Sequence, residues 1–467
     1  MMIKIKYHFL KYLYFIVFFL FNTVIFCQLS PQQIIKKMDR GINLGNTLNA
    51  PIEGNWAPAV QESYFYDISQ AGFKTVRIPI RFDKHTTQTS DVIYKDSIGN
   101  YIGCINDYSV DSVFLNRLEQ VINWALKYKL FAILDVHGDH WFWESYKPGS
   151  EYFKTGADRF AVEDRFKAIW TAISSRLYNY SDSLLFEIMN EPYFSMNSEQ
   201  VHNINNKILK IIRKTNPKRF VIITGGGQNS WEAPFTIKKD LIQSDSFLIA
   251  TFHYYLPRKF TVSSKEGFDD YEWGSNEEKA VVDFHFDSVK SWAEDNNICV
   301  LLGEFGADNE NGYNYYYKKY KGFGGPTRES REEYHRYLAN AAISRGFAFT
   351  VWDAGEKSNK SIYLASTRSW VEGVKNAVLG INTSSQETET TEIANMFIYP
   401  NPCFDNLMIE TYVQIENIEI LDIFKNRKIV DFDGEYSIDV SGFSSGLYYL
   451  VVFLRNGKRI FLKFIKI

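Results

Sequence analysis

Cysteine is scarce in this chain, with four in 467 residues. So few cysteines in a chain of this size form no disulfide framework. Cys299, inside an apolar run, reads as a small buried hydrophobe. Neither sign of charge dominates. Lys and Arg total 52 against 55 Asp and Glu, a net charge of −3, which excludes a basic nucleic-acid surface or docking on anionic membranes. The extended apolar run from Tyr12 to Phe26, broken by Asn22 and Thr23, is too short for a membrane span. It follows Lys4, Lys6 and Lys11, so residues 1–28 are expected to be an export signal, cleaved between Cys27 and Ser30. An uncleaved anchor is the alternative. Cys27 makes a poor lipid-attachment site because bulky Phe26 precedes it. Cleavage leaves Cys104, Cys299 and Cys403. No internal repeat is visible. Gly225-Gly226-Gly227 lacks the lysine of a phosphate-binding loop and reads as a tight turn.

Aromatic residues are plentiful: 16%, with 10 Trp, 30 Tyr and 37 Phe. They serve either a large core or flat faces on which sugar rings stack. From Met38 to about Gly380 strand-like and helical stretches alternate. The strand-like runs are Gly41–Gly45, Thr75–Pro79, Phe131–Val136, Leu184–Met189, Phe220–Thr224, Leu248–Phe252, Cys299–Gly303 and Ala348–Trp352. Several are continuously apolar, as strands covered on both faces are. Helical spacing runs through Val113–Lys129, Asp158–Asn179, Asn197–Asn216, Glu277–Asp295 and Arg328–Arg345. The pattern predicts an α/β fold, a (β/α)₈ TIM barrel over residues 29–381, with a doubly wound sheet as the alternative. Residues 382–395 are polar and Ser/Thr/Glu-rich, a linker. Residues 396–467 carry short β runs at Leu407–Glu410, Ile418–Phe424, Lys428–Phe432, Gly446–Phe453 and Arg459–Ile467. Turns are expected at Asn426-Arg427, Asp433-Gly434 and Asn456-Gly457. This predicts a small all-β sandwich domain.

Asn190-Glu191-Pro192 ends the fourth strand, and Glu304 ends the seventh in Leu302-Gly303-Glu304-Phe305. Barrel enzymes keep their catalytic groups at strand C-termini. Two such glutamates suggest a two-carboxylate mechanism, most commonly glycoside hydrolysis, in which the groups stand ~5 Å apart if configuration is retained. Either glutamate alone also reads as a strand-end residue that hydrogen-bonds a loop.

The chain resembles glycoside hydrolase family 5, the cellulase and mannanase family, over about Met38 to Val378. The resemblance rests on Gly41-Ile42-Asn43-Leu44-Gly45-Asn46-Thr47-Leu48, Arg77-Ile78-Pro79, Leu134-Asp135-Val136-His137, Asn190-Glu191-Pro192, Phe252-His253-Tyr254-Tyr255, Gly303-Glu304-Phe305-Gly306 and Val351-Trp352-Asp353. It implies Glu304 as nucleophile and Glu191 as acid/base. Arg77 and Tyr255 then hold the nucleophile, and Asn190 meets the sugar 2-hydroxyl. His137 and His253 orient substrate or the glutamates, and Trp352 is the floor under the sugar. Many relatives carry two adjacent histidines after strand three; here Gly138 follows His137 and leaves the role of His140 open. Trp56, Trp141, Trp143 and Trp231, in loops after strands one, three and five, are expected to stack along the bound chain or to pack within their loops. The segment His137-Gly138-Asp139-His140 also suggests a metal site, but no third ligand is indicated, so no metal and no cofactor is expected.

A second resemblance covers the C-terminal region. Ile398-Tyr399-Pro400-Asn401-Pro402, Gly446-Leu447-Tyr448 and Lys463-Phe464-Ile465-Lys466-Ile467 resemble the type A sorting domain of the type IX secretion system. The resemblance implies that this machinery exports the chain, to be secreted or attached to the cell surface. A carbohydrate-binding module is the alternative, opposed by Tyr448 and Tyr449, which as strand neighbours face opposite sides. The combined expectation is a monomeric retaining endo-β-1,4-glucanase acting on a β-linked polysaccharide, with no nucleic-acid partner. The alternatives are a β-mannanase or xyloglucanase, or a non-catalytic polysaccharide-binding protein of the cell surface.

Overall fold

The computed structural model describes residues 28–467 except 90–92, 139, 193–195, 265–270, 321–323, 382–395, 412–414, 423–426, 429–436 and 455–458. The expected export signal, save Gln28, and the expected linker lie outside the described residues. The chain divides into two compact units, Met1–Ile381 and Asn382–Ile467.

In the first unit eight parallel strands close a barrel. They are β1 (Arg40–Asn43), β2 (Thr75–Ile80), β3 (Phe131–Val136), β4 (Leu184–Glu187), β5 (Val221–Ile223), β6 (Leu248–Tyr254), β7 (Cys299–Phe305) and β8 (Ala348–Val351). Each pairs with its sequence neighbours, and β8 pairs with β1. The expected (β/α)₈ barrel is the observed fold. A helix precedes β1, α1 (Pro31–Met38), and one follows each strand: α2 (Glu62–Ala71), α3 (Ser112–Lys127), α4 (Gly156–Arg176), α5 (Ser198–Thr215), α6 (Lys239–Ser244), α7 (Asn276–Asn296), α8 (Arg328–Ser344) and α9 (Glu372–Leu379). Local chemistry sets their ends. Asn197 caps α5 by accepting from the Gln200 amide, and the Gln200 side chain accepts in turn from the Asn197 amide. In α3 the buried Phe114, Leu118, Val121, Ile122 and Ala125 form the stripe that helical spacing predicts.

The strands are buried on both faces, so the two faces carry different work. Outward residues form the large cluster under the helices, among them Val76, Ile78, Leu134 and Phe186. Inward residues low in the barrel, including Ile133, Leu185, Ile222, Ile249 and Leu301, form a separate cluster with Ile34, Ile35 and Met38 of α1. Helix α1 thus closes the barrel floor. Two residues further along the same strands, on the same inward face, come Asp135, Glu187, Thr251 and Gly303. The interior therefore turns from apolar to polar as it approaches the strand C-termini.

The second unit contains β9 (Phe397–Tyr399), β10 (Asn406–Glu410), β11 (Ile415–Asp422), β12 (Arg427–Lys428), β13 (Ser437–Asp439), β14 (Gly446–Leu454) and β15 (Arg459–Lys466). They form a three-stranded sheet, β9-β10-β13, and a four-stranded sheet, β12-β11-β14-β15, all pairs antiparallel. Leu407, Ile409 and Ile438 from the first sheet share one core with Ile418, Ile420, Leu450, Val452 and Phe464 from the second, an all-β sandwich. Tyr448 is buried and Tyr449 half-exposed, as alternation requires. Strands β9 and β13 were not among the expected runs. Of the expected turn residues, Asn426, Asp433-Gly434 and Asn456-Gly457 lie outside the described residues. Cys104, Cys299 and Cys403 are unpaired. Among the described residues no helix is long and apolar enough to cross a membrane.

Candidate active site

Arg77 is the hub of the barrel mouth. It points inward from β2, and its side chain is wholly buried. Nε and Nη2 grip Glu187 of β4 at 2.7 and 2.8 Å. Nη1 reaches Glu304 Oε1 at 2.7 Å and Asn43 Oδ1 at 3.0 Å. Nη2 also reaches Asn190 Oδ1 at 2.8 Å and Asp135 Oδ2 at 2.9 Å. Burial disfavours the charge on this guanidinium, but the charges of Asp135, Glu187 and Glu304 outweigh that effect and hold it well above its usual range.

Glu304, on β7, is almost fully buried. The Tyr255 hydroxyl donates to its Oε2 at 2.9 Å. Burial, then the charge of Glu304, holds this phenol well above its usual range, so it remains a donor. A bulge sets the angle of Glu304: Phe252 pairs with Leu302 but His253 with Glu304, leaving Gly303 as the extra residue. Gly303 has no alternative here, because a Cβ would lie 2.8 Å from Thr251 Oγ1 and 2.9 Å from His253 Nε2. Its carbonyl accepts from Asn43 Nδ2 at 3.0 Å and Thr350 Oγ1 at 2.5 Å.

Glu191 lies four residues beyond the end of β4. The Asn190 amide donates to the Val136 carbonyl at 3.0 Å, and Asn229 Nδ2 donates to the Asn190 carbonyl at 2.9 Å. These bonds extend the strand path up to the glutamate. Glu191 Oε1 stands 2.8 Å from His253 Nδ1, and Gln228 Nε2 approaches Oε2 at 3.5 Å. Its side chain is 24% exposed against 5% for Glu304, so it faces the cleft. Burial raises the Glu191 carboxyl above its ordinary range, opposed by nearby positive groups. One carboxylate oxygen of Glu191, one of Glu304 and a ring nitrogen of His253 lie within 4.8 Å of one another. Burial pushes both His253 and His137 down to about 4, so both rings are neutral near pH 7. His137 Nδ1 is 2.7 Å from Asp135 Oδ2, which orients its ring.

Half-buried Trp352, just past β8, stacks on His137 with ring centroids 5.4 Å apart and planes 9° from parallel. A Cβ at Gly45 would meet the Trp352 ring at 2.9 Å, so the glycine lets the indole lie flat. Trp56 is exposed, at 44%. Trp231 is partly buried, with one face on His285 at 3.9 Å. Of the two readings open for the loop tryptophans, Trp141 and Trp143 fit loop packing. Trp141 and Trp143 are 9% and 2% exposed. The one-turn helix His140–Trp143 turns both rings inward, with the Arg165 guanidinium 4.0 Å over Trp141. His140 is exposed and lies 3.7 Å from Glu144.

Asn43, Asp135, Glu187, Gln228 and Asn229 belong to the site but were not singled out from the sequence. Asp135 and Glu187 carried a signal: a carboxylate inside a continuous apolar strand must be paired. A metal could in principle use Glu191, His253 and Glu304, but each is already hydrogen-bonded, and Arg77 sits 2.7 Å from Glu304 where it would repel a second cation. Asp139 lies outside the described residues, and His137 Nδ1 is taken by Asp135.

Comparison with known proteins agrees with this architecture. Residues 41–358 match the model of cellulase (glycosyl hydrolase family 5), and residues 397–466 match that of the secretion system C-terminal sorting domain. Endoglucanase H of Acetivibrio thermocellus is 38% identical over 357 residues, covering 76% of this chain but 34% of that protein. The match thus spans about a third of that relative's length. A hyperthermophilic endo-β-1,4-glucanase, solved in complex with substrate, is 28% identical with a TM-score of 0.63, covering 75% of this chain and 100% of that one. Endoglucanase Cel5A of Thermotoga maritima is 26% identical with a TM-score of 0.61, at the same coverage. By its barrel, by the carboxylates gathered at the barrel mouth and by the match over residues 41–358, the chain belongs to glycosyl hydrolase family 5.

Proposed function

We propose that the barrel unit is a retaining endo-β-1,4-glucanase. The observation that carries this reading is the pair of carboxylates, Glu191 and Glu304, with oxygens within 4.8 Å of each other. Retaining glycosidases hold theirs about 5–5.5 Å apart, whereas inverting enzymes leave room for a water. Glu304 attacks the anomeric carbon while Glu191 gives its proton to the departing glycosidic oxygen, forming a glycosyl ester on Glu304. Glu191 then takes a proton from water, and that water attacks the same carbon and frees the carboxylate.

The neighbours support this division of labour. Arg77 and Tyr255 each donate to one carboxylate oxygen of Glu304 and hold it aimed at the cleft. Glu191 has the desolvation that an acid working near neutral pH needs. Asn190 accepts from Arg77 through Oδ1, which turns its Nδ2 donor toward a sugar hydroxyl. Trp352, steadied by His137, offers a flat face to the ring being cleaved. Exposed Trp56 and partly buried Trp231 are the loop tryptophans left to carry further sugar units. The C-terminal sandwich fits a type IX sorting signal that delivers the barrel outside the cell or to its surface.

The structures of Thermotoga maritima Cel5A include complexes with cellobiose and with mannotriose, which keeps a mannan-cleaving reading alongside the first. Assay on carboxymethylcellulose, mannan and xyloglucan separates them. Release of reducing ends from carboxymethylcellulose is expected; activity on mannan alone overturns the glucanase reading. Proton NMR of the first-formed anomer tests retention, and an inverted product refutes it.

A further inference from the structure

The charges around Arg77 do not balance. One guanidinium meets three carboxylates, Asp135, Glu187 and Glu304, all at most 5% exposed. The hydrogens do not balance either. A guanidinium has five N–H hydrogens, and six oxygens crowd this one. The shortage falls at Nη2. Its two hydrogens face three acceptors: Glu187 Oε1, Asn190 Oδ1 and Asp135 Oδ2. Asp135 and Glu187 are direct partners across the β3–β4 ladder, so their carboxyls compete for the same nitrogen. His137 Nδ1 supplies Asp135 Oδ2 with one more contact at 2.7 Å, but Asp135 Oδ1 is buried with no hydrogen-bond partner among the described residues. A fully charged cluster would leave that oxygen as a bare anion in the barrel, which is costly.

We propose that Asp135 and Glu187 share one proton beside Arg77, and that Asp135, once it releases that proton, makes Glu191 keep its own to higher pH. Asp135 is then a positioning residue for the acid/base, acting through charge rather than touching substrate. The groups facing it are Arg77 from β2, His137 on its own strand, Glu187 and Glu191 from β4 and its extension, and, through Arg77, Glu304 from β7. Burial is the largest influence on Asp135 and Arg77 opposes it; the carboxyl still lies at about 7, with Glu191 adding to the rise. Glu187 is likewise raised by burial and by Asp135. Charge coupling is mutual, so an ionised Asp135 holds the Glu191 proton. The kinetic part of this inference rests on Glu191 being the acid of a glycosidase; the shared proton does not.

The test compares the parent, Asp135→Asn and Glu187→Gln. Asp135→Asn keeps an oxygen for Arg77 and His137 but cannot ionise. In kcat/KM on an aryl β-cellobioside, its alkaline limb should fall at lower pH than the parent's by about half a unit or more. Glu187→Gln frees a hydrogen of Nη2 for Asp135, which then stays ionised, and its limb should not move down. A limb left in place by Asp135→Asn, with activity lowered equally at every pH, is the signature of a structural role and overturns the proposal. Infrared titration of the parent reads the proton without turnover. A protonated buried carboxyl that ionises near neutrality, in addition to that of Asp353, is expected, and its absence overturns the proposal even if Asp135→Asn fails to fold. A parent that shows this band but cleaves no cellobioside refutes the glucanase reading and leaves the shared proton standing.

Discussion

A methyl group on Gly303 would stand 2.9 Å from Nε2 of His253. The residue beside Glu304 thus fixes the ring that touches Glu191. Gly303→Ala must push the imidazole or open the bulge. A stability loss of about 1–3 kcal/mol is expected, together with a fall in kcat/KM of at least about tenfold, one step of ~1.4 kcal/mol in the barrier. Thermal melting and steady-state kinetics on one preparation decide this. Unchanged kinetics in a folded Gly303→Ala protein would refute the claim that the bulge aims the site.

The two glutamates should fail differently. Under the proposed mechanism Glu304→Ala lowers turnover by about 10⁴-fold or more on every substrate, while oligosaccharide binding, read by calorimetry, persists. Glu191→Ala should lose most on polymers and least on aryl glycosides whose leaving group needs no proton, and azide should restore rate by replacing the deprotonated water. Equal losses on both substrate types would remove the acid/base assignment.

His335 gives the pH dependence of stability a handle away from the reacting groups. It is buried on α8, with Nδ1 at 2.6 Å from the Arg331 carbonyl. Burial holds it down to about 3. An unfolded histidine takes its proton near pH 6.5. As pH falls from 6.5 the unfolded state therefore binds a proton that the folded state refuses, and stability drops. His137 and His253 act in the same sense down to about 4. Asp135 at about 7 and Asp353 at about 6, raised mainly by burial, act oppositely by binding protons in the folded state first. His335→Gln should flatten the acid-side loss of ΔG by up to about 1.4 kcal/mol per pH unit between pH 6 and 4. Denaturant melts across that range measure it, and a slope equal to the parent's would contradict the buried neutral ring.

Trp352 and Trp143 make a contrasting pair. Trp352→Ala removes the flat face over the cleft and should cut kcat/KM by about a hundredfold, ~2.7 kcal/mol of barrier. Trp143→Phe deletes a buried Nε1 that has no hydrogen-bond partner among the described residues, so its effect should fall on stability alone, with KM on polymer unchanged. A raised KM in Trp143→Phe would return that ring to the substrate surface.

The barrel was legible because strands covered on both faces are written as unbroken apolar runs, and helices between them carry a 3.6-residue stripe. The locations of Glu191 and Glu304 were legible for the same reason, as polar punctuation at the ends of those runs. Asp135 and Glu187 were in plain view inside their strands. Their meeting at Arg77 depends on which residues share the inward face at one height, and only register fixes that. Stacking and packing could not be told apart for Trp141 and Trp143, because nothing local says that the segment after His137 coils into a single helical turn. Strand β13 is three residues long, too short for its sequence to show a period.

The helix at the barrel floor has a temporal meaning. Helix α1 leaves the ribosome among the first described residues, yet its apolar face packs against β7 and β8, and β1 waits for β8 to complete its pairing. The first pieces of the barrel are finished by its last strand. A chain interrupted anywhere before Val351 therefore presents an unpaired strand edge and a greasy helix together, two surfaces that invite association. Folding of such a chain without loss to aggregation depends on keeping it apart until its final strand has arrived.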